Sequence, residues 1–321
     1  MLSQKQTTYL KIILIPTAYA MALRLFFGVD TWKDLFSVMS ISFLFCLPTI
    51  VGVLTVYFSS EEDARKLSHR LFAPWLPIML FFVLTLVVAM EGWACWLMVL
   101  PLFLIAASIG GLIGGYYKFR KKDNNVSISL LALLPLFISP IEHMIGAIPG
   151  IYDAYTYIDI HAPADKIWQN VTRVKGIPAD QDKGWLNRML GFPRPVSAEL
   201  NYEGVGAYRA AVFTNGLVFH ETVTEYIDQK KMSFSIKANP HEIPSTTLDE
   251  HVVIGGEYFD VLNGTYKLEK LNETTYRLHL TSFFRLNTTF NFYASGWARL
   301  IMKDIQNNIL QVEKSRAEME K

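Results

Sequence analysis

From Trp93 to Tyr116 the chain carries no charged side chain, and this rules out an ordinary soluble fold for the region around it. A helix crosses the hydrocarbon core of a bilayer with roughly 17–25 mainly apolar residues. Residues 93–116 meet that standard, and stretches 12–29, 35–58 and 75–90 meet or approach it. A fifth stretch, 128–148, is long enough but is broken by Pro135, Pro140 and the pair Glu142-His143. Residues 1–150 are therefore expected to form an all-α transmembrane bundle of about five spans. The average composition hides this: 51% hydrophobic, 18% charged and a net charge of +1 would suit a soluble enzyme. It averages an apolar first half with a second half, 151–321, in which apolar and charged residues alternate. Scattered basic residues with no clustered basic face exclude a nucleic-acid partner.

Lys and Arg in the short loops set orientation. Lys5 and Lys11 precede the first stretch, Arg65, Lys66 and Arg70 follow the second, and Lys118, Arg120, Lys121 and Lys122 follow the fourth. The intervening loops hold only Lys33 and the Glu91-Gly92 turn. The alternation places the N-terminus in the cytoplasm and, after five crossings, the C-terminal domain outside a cell membrane. Arg24, near the outer end of its stretch, is expected to snorkel to the headgroups. Gly110 with Gly114, and Gly111 with Gly115, allow close helix approach; packing within the chain is expected, and the same face could seat a second copy. Cys46 and Cys95 read as isolated small apolar residues of the bundle.

The second half opens with a strand at 155–160, a helix beginning near Pro163 and a second short helix at 184–190. Strands follow at 197–202, 207–213, 217–227, 231–238, 257–271 and 275–286, with Asn215-Gly216 giving a tight hairpin turn. The stretch 290–320 is free of Pro, and Trp297, Ile301, Ile305, Ile309 and Val312 recur at helical spacing, giving a long amphipathic helix. A curved antiparallel sheet must cover its apolar face, and this helix is the element large enough to do so. The order resembles the helix-grip fold of the START-like, SRPBCC superfamily, which includes polyketide cyclase/dehydrase relatives. The resemblance rests on Ile158-Asp159-Ile160-His161-Ala162-Pro163-Ala164-Asp165-Lys166-Ile167-Trp168, on Phe219-His220-Glu221-Thr222-Val223-Thr224-Glu225-Tyr226, and on the closing strand and helix. It covers about half the chain and does not reach the membrane half.

The resemblance implies a cavity between sheet and helix for a hydrophobic ligand such as a lipid. Strand alternation points Phe213, Phe219, Phe234, Tyr266 and Phe284 inward, with Trp297 and Ile301 opposite them on the helix. Glu221 and Ser282 are then polar groups in an apolar pocket, with Asp260 a weaker candidate because a bulge near Gly264 would change its side. A carboxyl placed there has a raised pKa and could hold a ligand polar group, or act as acid or base in a cyclase-type enzyme. A third expectation is a non-enzymatic sensor or docking module. Glu142 and His143 stand where the last span meets the domain. The histidines lack metal-ligand spacing, and no nucleophile elbow or phosphate loop occurs, so no metal or cofactor is expected.

Overall fold

The computed structural model describes residues 4–120, 124–239 and 254–319. It divides into two compact units, Met1–Ala147 and Ile148–Lys321.

The first unit is helical: α1 (Gln4–Phe27), α2 (Leu47–Phe58), α3 (Glu61–Arg65), α4 (Leu67–Phe72), α5 (Trp75–Val87), α6 (Trp93–Phe119) and α7 (Asn124–Ile145). Among the described residues, four helical segments are long and apolar enough to cross a membrane: Tyr9–Phe27, Leu67–Val87, Trp93–Phe119 and Ile128–Ile145. Of the five expected stretches it is the second that falls short of that length, not the proline-bearing fifth. Helix there occupies only Ser42–Phe58. Its start is fixed by polar groups: Ser40 Oγ accepts from Phe43 N at 3.1 Å, and the Glu142 carboxylate accepts from Ile41 N and Ser42 N at 2.7 and 3.0 Å. These bonds satisfy donors that a helix start leaves open. The first turn, Ser42–Cys46, is wound as a π-helix just ahead of Pro48, which has no N–H to give.

The small residues of α6 are used within the chain. A Cβ at Gly110 would lie 1.8 Å from the Thr49 carbonyl oxygen of the helix running into α2, and one at Gly114 would lie 2.6 Å from Val53 O. On the other side, a Cβ at Gly111 would meet Arg70 O at 1.9 Å, and one at Gly115 would meet the Arg70 side chain. One glycine pair seats α2 and the other seats α4. Both glycine pairs are thus used for packing within the chain. Arg24 departs from expectation. It is 6% exposed, donates to Glu91 Oε1 at 2.7 Å and to Met90 O at 3.0 Å, and so is paired inside the bundle instead of reaching outward.

The second unit contains β1 (Gly150–Ile160), α8 (Ala164–Thr172), β2 (Arg173–Val174), α9 (Trp185–Leu190), β3 (Pro195–Leu200), β4 (Tyr208–Phe213), β5 (Val218–Ile227), β6 (Lys231–Ala238), β7 (Phe259–Lys270), β8 (Tyr276–Leu286) and α10 (Asn291–Met319). Among the described residues, eight strands form one antiparallel sheet in the order β1-β8-β7-β6-β5-β4-β3-β2. The sheet is curled, and α10 lies against it on β1 and β8, with α8 and α9 alongside. This is the helix-grip arrangement. Asn215 and Gly216 both sit at positive φ (62° and 80°), as a two-residue hairpin turn requires. The core separates into two apolar clusters. One gathers Ile160, Ile167, Trp168, Met232 and Leu278, and the other Ala154, Phe213, Phe219, Phe284 and Met302.

Candidate functional site

A set of buried polar side chains accompanies these two clusters. The antiparallel register sets Arg209 of β4 directly opposite Glu221 of β5. Both face the interior, at 3% and 6% exposure. Arg209 Nε donates to Glu221 Oε2 at 2.5 Å, and Nη1 donates to the Val171 carbonyl of α8 at 3.1 Å. The guanidinium carbon lies 4.6 Å from the centre of the Phe234 ring and 5.8 Å from that of Tyr266. Stacking on aromatic faces partly replaces the water it has lost. Burial pushes the Glu221 carboxyl up from the usual carboxylate range, with Arg209 pulling against it.

From α10, Glu313 enters the same space. It is 1% exposed, and neither carboxyl oxygen has a hydrogen-bond partner. The Tyr266 hydroxyl lies beside it but outside bonding geometry. Burial pushes the Glu313 carboxyl up to about 8, against the opposing pull of Arg209. At neutral pH it is mainly the neutral acid, able to donate one hydrogen bond and accept others. Burial also raises Tyr266 well above its ordinary value, so its hydroxyl stays protonated.

The polar set continues towards β1. Gln306 of α10 donates from Nε2 to Ser282 Oγ at 2.9 Å and to Ala154 O at 3.1 Å, and its Oε1 accepts from Thr156 Oγ1 at 3.1 Å. Ser282 is thus occupied by Gln306. Between the two groups the Phe234 ring lies across Gly264, where a Cβ would come within 2.5 Å of it. The glycine makes room for the ring.

Of the residues read from the sequence, Phe213, Phe219, Glu221, Phe234, Tyr266, Ser282 and Phe284 are all buried. Only Glu221, Phe234 and Tyr266 meet around Arg209. Trp297 and Ile301 are half-buried on the flank of α10, which corrects their place opposite the sheet. Residues four apart drift by about 40° per step on a helix of 3.6 residues per turn. The row from Trp297 to Ile309 therefore winds off the inner face. The buried row is instead Ser295, Ala298, Met302, Gln306, Leu310, Glu313 and Ala317. Its small residues let the helix approach the sheet, and its polar ones, Gln306 and Glu313, enter the interior. Asp260 is half-buried and faces Arg285 at 3.7 Å, just before a bulge between Val261 and Asn263. Glu142 caps the helix at Ser42 as described above. Arg209 was missed although Ala207, Arg209, Ala211 and Phe213 alternate on one strand, a pattern that points its side chain inward.

No family model matches the chain, and no curated protein matches it. Solved structures do. Zhui aromatase/cyclase from Streptomyces sp. R1128 is 15% identical, with 53% of this chain and 94% of that one covered, at a TM-score of 0.34. The Aha1 dimer from Colwellia psychrerythraea is 19% identical over 53% and 98%, at 0.30. DynU16 of the dynemicin biosynthetic locus is 13% identical over 52% of this chain, at 0.30, and the match spans about half of that protein's length (49%). Likenesses at this level carry nothing about chemistry.

Proposed function

We propose that the C-terminal domain binds a hydrophobic molecule, a membrane lipid by our reading, through a single uncharged polar group held at Glu313. The observation that supports this most is the Glu313 carboxyl, fully buried yet without a partner. Asn187 Oδ1 is also left open, but the amide nitrogen of that side chain is bonded, whereas both oxygens of Glu313 are bare. A buried polar group left unsatisfied costs about 1–3 kcal/mol and calls for a missing partner. A ligand carbonyl or hydroxyl would supply it, with the apolar clusters on either side holding the rest of the molecule. Phe234, Tyr266 and the Arg209–Glu221 pair would form the walls nearest that group, and Phe213, Phe219 and Phe284 the apolar end.

The membrane half would hold this domain at a bilayer. Four residues, 146–149, separate α7 from β1. At no more than about 3.6 Å per residue, that tether suits extraction, sensing or presentation of a lipid better than work on a soluble metabolite. With Ser42–Phe58 taken as a further, shorter crossing, the alternation of loop charges favours a domain on the outer side. The cyclase-type reading through Glu221 loses ground, because Glu221 would have to leave Arg209 before acting as a base.

The test is mass spectrometry of the full chain purified in detergent, with organic extraction of what it carries. A defined hydrophobic molecule should co-purify, and Glu313→Leu should lose it while raising the melting temperature of the empty protein. Retention of the molecule by Glu313→Leu would refute the assignment. A protein that carries nothing and takes up no added lipid would favour a docking module instead.

A further inference from the structure

The basic loops of the helical half meet at one end of α6. The Arg65 guanidinium lies 4.9 Å from the centre of the Phe119 ring, and that of Arg70 lies 5.6 Å from the same centre. Arg120 stands 5.6 Å over Tyr116. Lys118 Nζ is bonded to the carbonyl oxygens of Tyr57 and Ser59 at 2.7 and 2.5 Å. Cations from two distant loops therefore share one end of the bundle. The nearby acids Glu62 and Asp63 are taken up by Lys66, at 3.4 and 3.1 Å, while Glu61 stays as a neighbouring negative charge. Neither Arg65 nor Arg70 has a carboxylate within ion-pair distance among the described residues.

Among these side chains lies a cleft of about 440 Å³, lined by Arg70, Gly115, Tyr116, Phe119 and Arg120. Gly115 shapes it: a Cβ would come 2.6 Å from Arg70 Nε, so the bare backbone lets the arginine lie flat on α6. Below the cleft, Ile105, Ile109, Leu112 and Tyr116 form an exposed row along the helix, at 61%, 50%, 39% and 60% exposure. Their spacing of three and four residues puts them on one face. A guanidinium-rimmed cleft at the head of an exposed apolar track has the polarity of one molecule, an anionic headgroup with an acyl chain. Basic pockets at the cytoplasmic ends of membrane helices suit such headgroups, and planar guanidinium forks match phosphate oxygens.

We propose that this cleft holds the phosphate of an anionic phospholipid, with Arg70 and Arg120 at the headgroup, Tyr116 and Phe119 against its first carbons, and an acyl chain along Ile105, Ile109 and Leu112. The proposal rests on the reading that α6 crosses a bilayer. It is independent of any ligand in the C-terminal domain.

Native mass spectrometry of the full chain in detergent tests it, with phosphatidylglycerol, phosphatidylcholine or inorganic phosphate added. Phosphatidylglycerol should be retained in preference to phosphatidylcholine. Arg70→Gln and Arg120→Gln should each weaken it about fivefold, the effect of one basic residue at a membrane surface, and leave phosphatidylcholine unchanged. Arg70 also donates to Ala64 O at 2.5 Å. If Arg70→Gln fails to fold, Arg65→Gln and Arg120→Gln carry the measurement. Equal retention of the two lipids, variants that bind as the parent does, or displacement of the lipid by millimolar inorganic phosphate would each overturn the proposal. Alkaline extraction of membranes tests the embedding separately. A chain that resists extraction yet shows no lipid preference defeats the cleft alone.

Discussion

The two halves of this protein differ in how far their buried hydroxyls and amides reach for a partner. In the helical half most hydroxyls turn back on their own helix: Thr17 to Ile13 O, Thr49 to Phe45 O and Thr55 to Val51 O, each at 2.7 Å, and Ser59 to Thr55 O at 2.8 Å. Other bonds cross between segments and find a complete partner there: Ser42 to Pro135 O, Tyr19 to Ala132 O, Ser108 to Leu71 O and Ser139 to Leu35 O. In the C-terminal domain the bonds reach between elements. Arg209 joins β4 to β5 and α8, Gln306 joins α10 to β1 and β8, and Glu313 is left with nothing. Polarity that is neutralised locally says little about function. Polarity carried across a fold and left incomplete marks a place where another molecule belongs.

The comparison can be broken most decisively at Arg209. Arg209→Met leaves the Glu221 carboxyl without its counter-charge in the core, and should cost about 3–5 kcal/mol. The double variant Arg209→Met/Glu221→Leu should recover most of that loss. Denaturant unfolding followed by far-UV circular dichroism measures both, and a double variant no more stable than the single one would mean that the pair does not act as a unit.

Glu313 should give a smaller effect that depends on pH. Its folded pKa is raised, so the folded state holds the proton more tightly than the unfolded chain does. Its stabilising contribution is fully present below the ordinary carboxylate pKa of about 4.3 and is lost as pH rises towards about 8. Glu313→Gln removes this slope. Relative to the parent, the variant should gain on the order of a few kcal/mol between pH 5 and pH 8, read as diverging melting temperatures. Parallel curves would show that the acid is not proton-bound in the core. Smallest of all should be Thr55→Val in the helical half. That hydroxyl bonds only to its own helix, and its loss should change stability by less than about 1 kcal/mol, measured as a thermal shift in detergent. A larger loss would mean that local bonds matter more in the bundle than the contrast allows.

The fold was legible where one physical constraint dominates. Apolar length identified the helices of the first half, and two-residue alternation with Asn215-Gly216 identified the strands of the second. What escaped was set by contacts between segments. Nothing near Ser40 announces that Glu142, a hundred positions away, will help fix the helix start there. The inner face of α10 was misjudged because large apolar residues outweighed small and polar ones in the reading. Ala298 and Ser295 are inside because close packing needs small residues, and Gln306 and Glu313 are inside because partners on other strands, or a bound molecule, can meet them. For the same reason Glu221 was found on its strand while Arg209, its partner, was not.

The pairing of β1 with β8 sets the order in which the C-terminal domain can be built. Gly150 lies opposite Leu286, and Ile160 opposite Tyr276, so the first strand made is joined to the last. At roughly 5–20 residues per second during synthesis, β1 spends on the order of ten seconds without its neighbour. The hairpins from β3 to β6 can close meanwhile, but the sheet edge at β8 and the helix laid over it arrive only at the end. A chain stalled or truncated before Tyr276 would therefore expose β1 and an uncovered apolar sheet together, a state that quality-control proteases and aggregation would compete to remove.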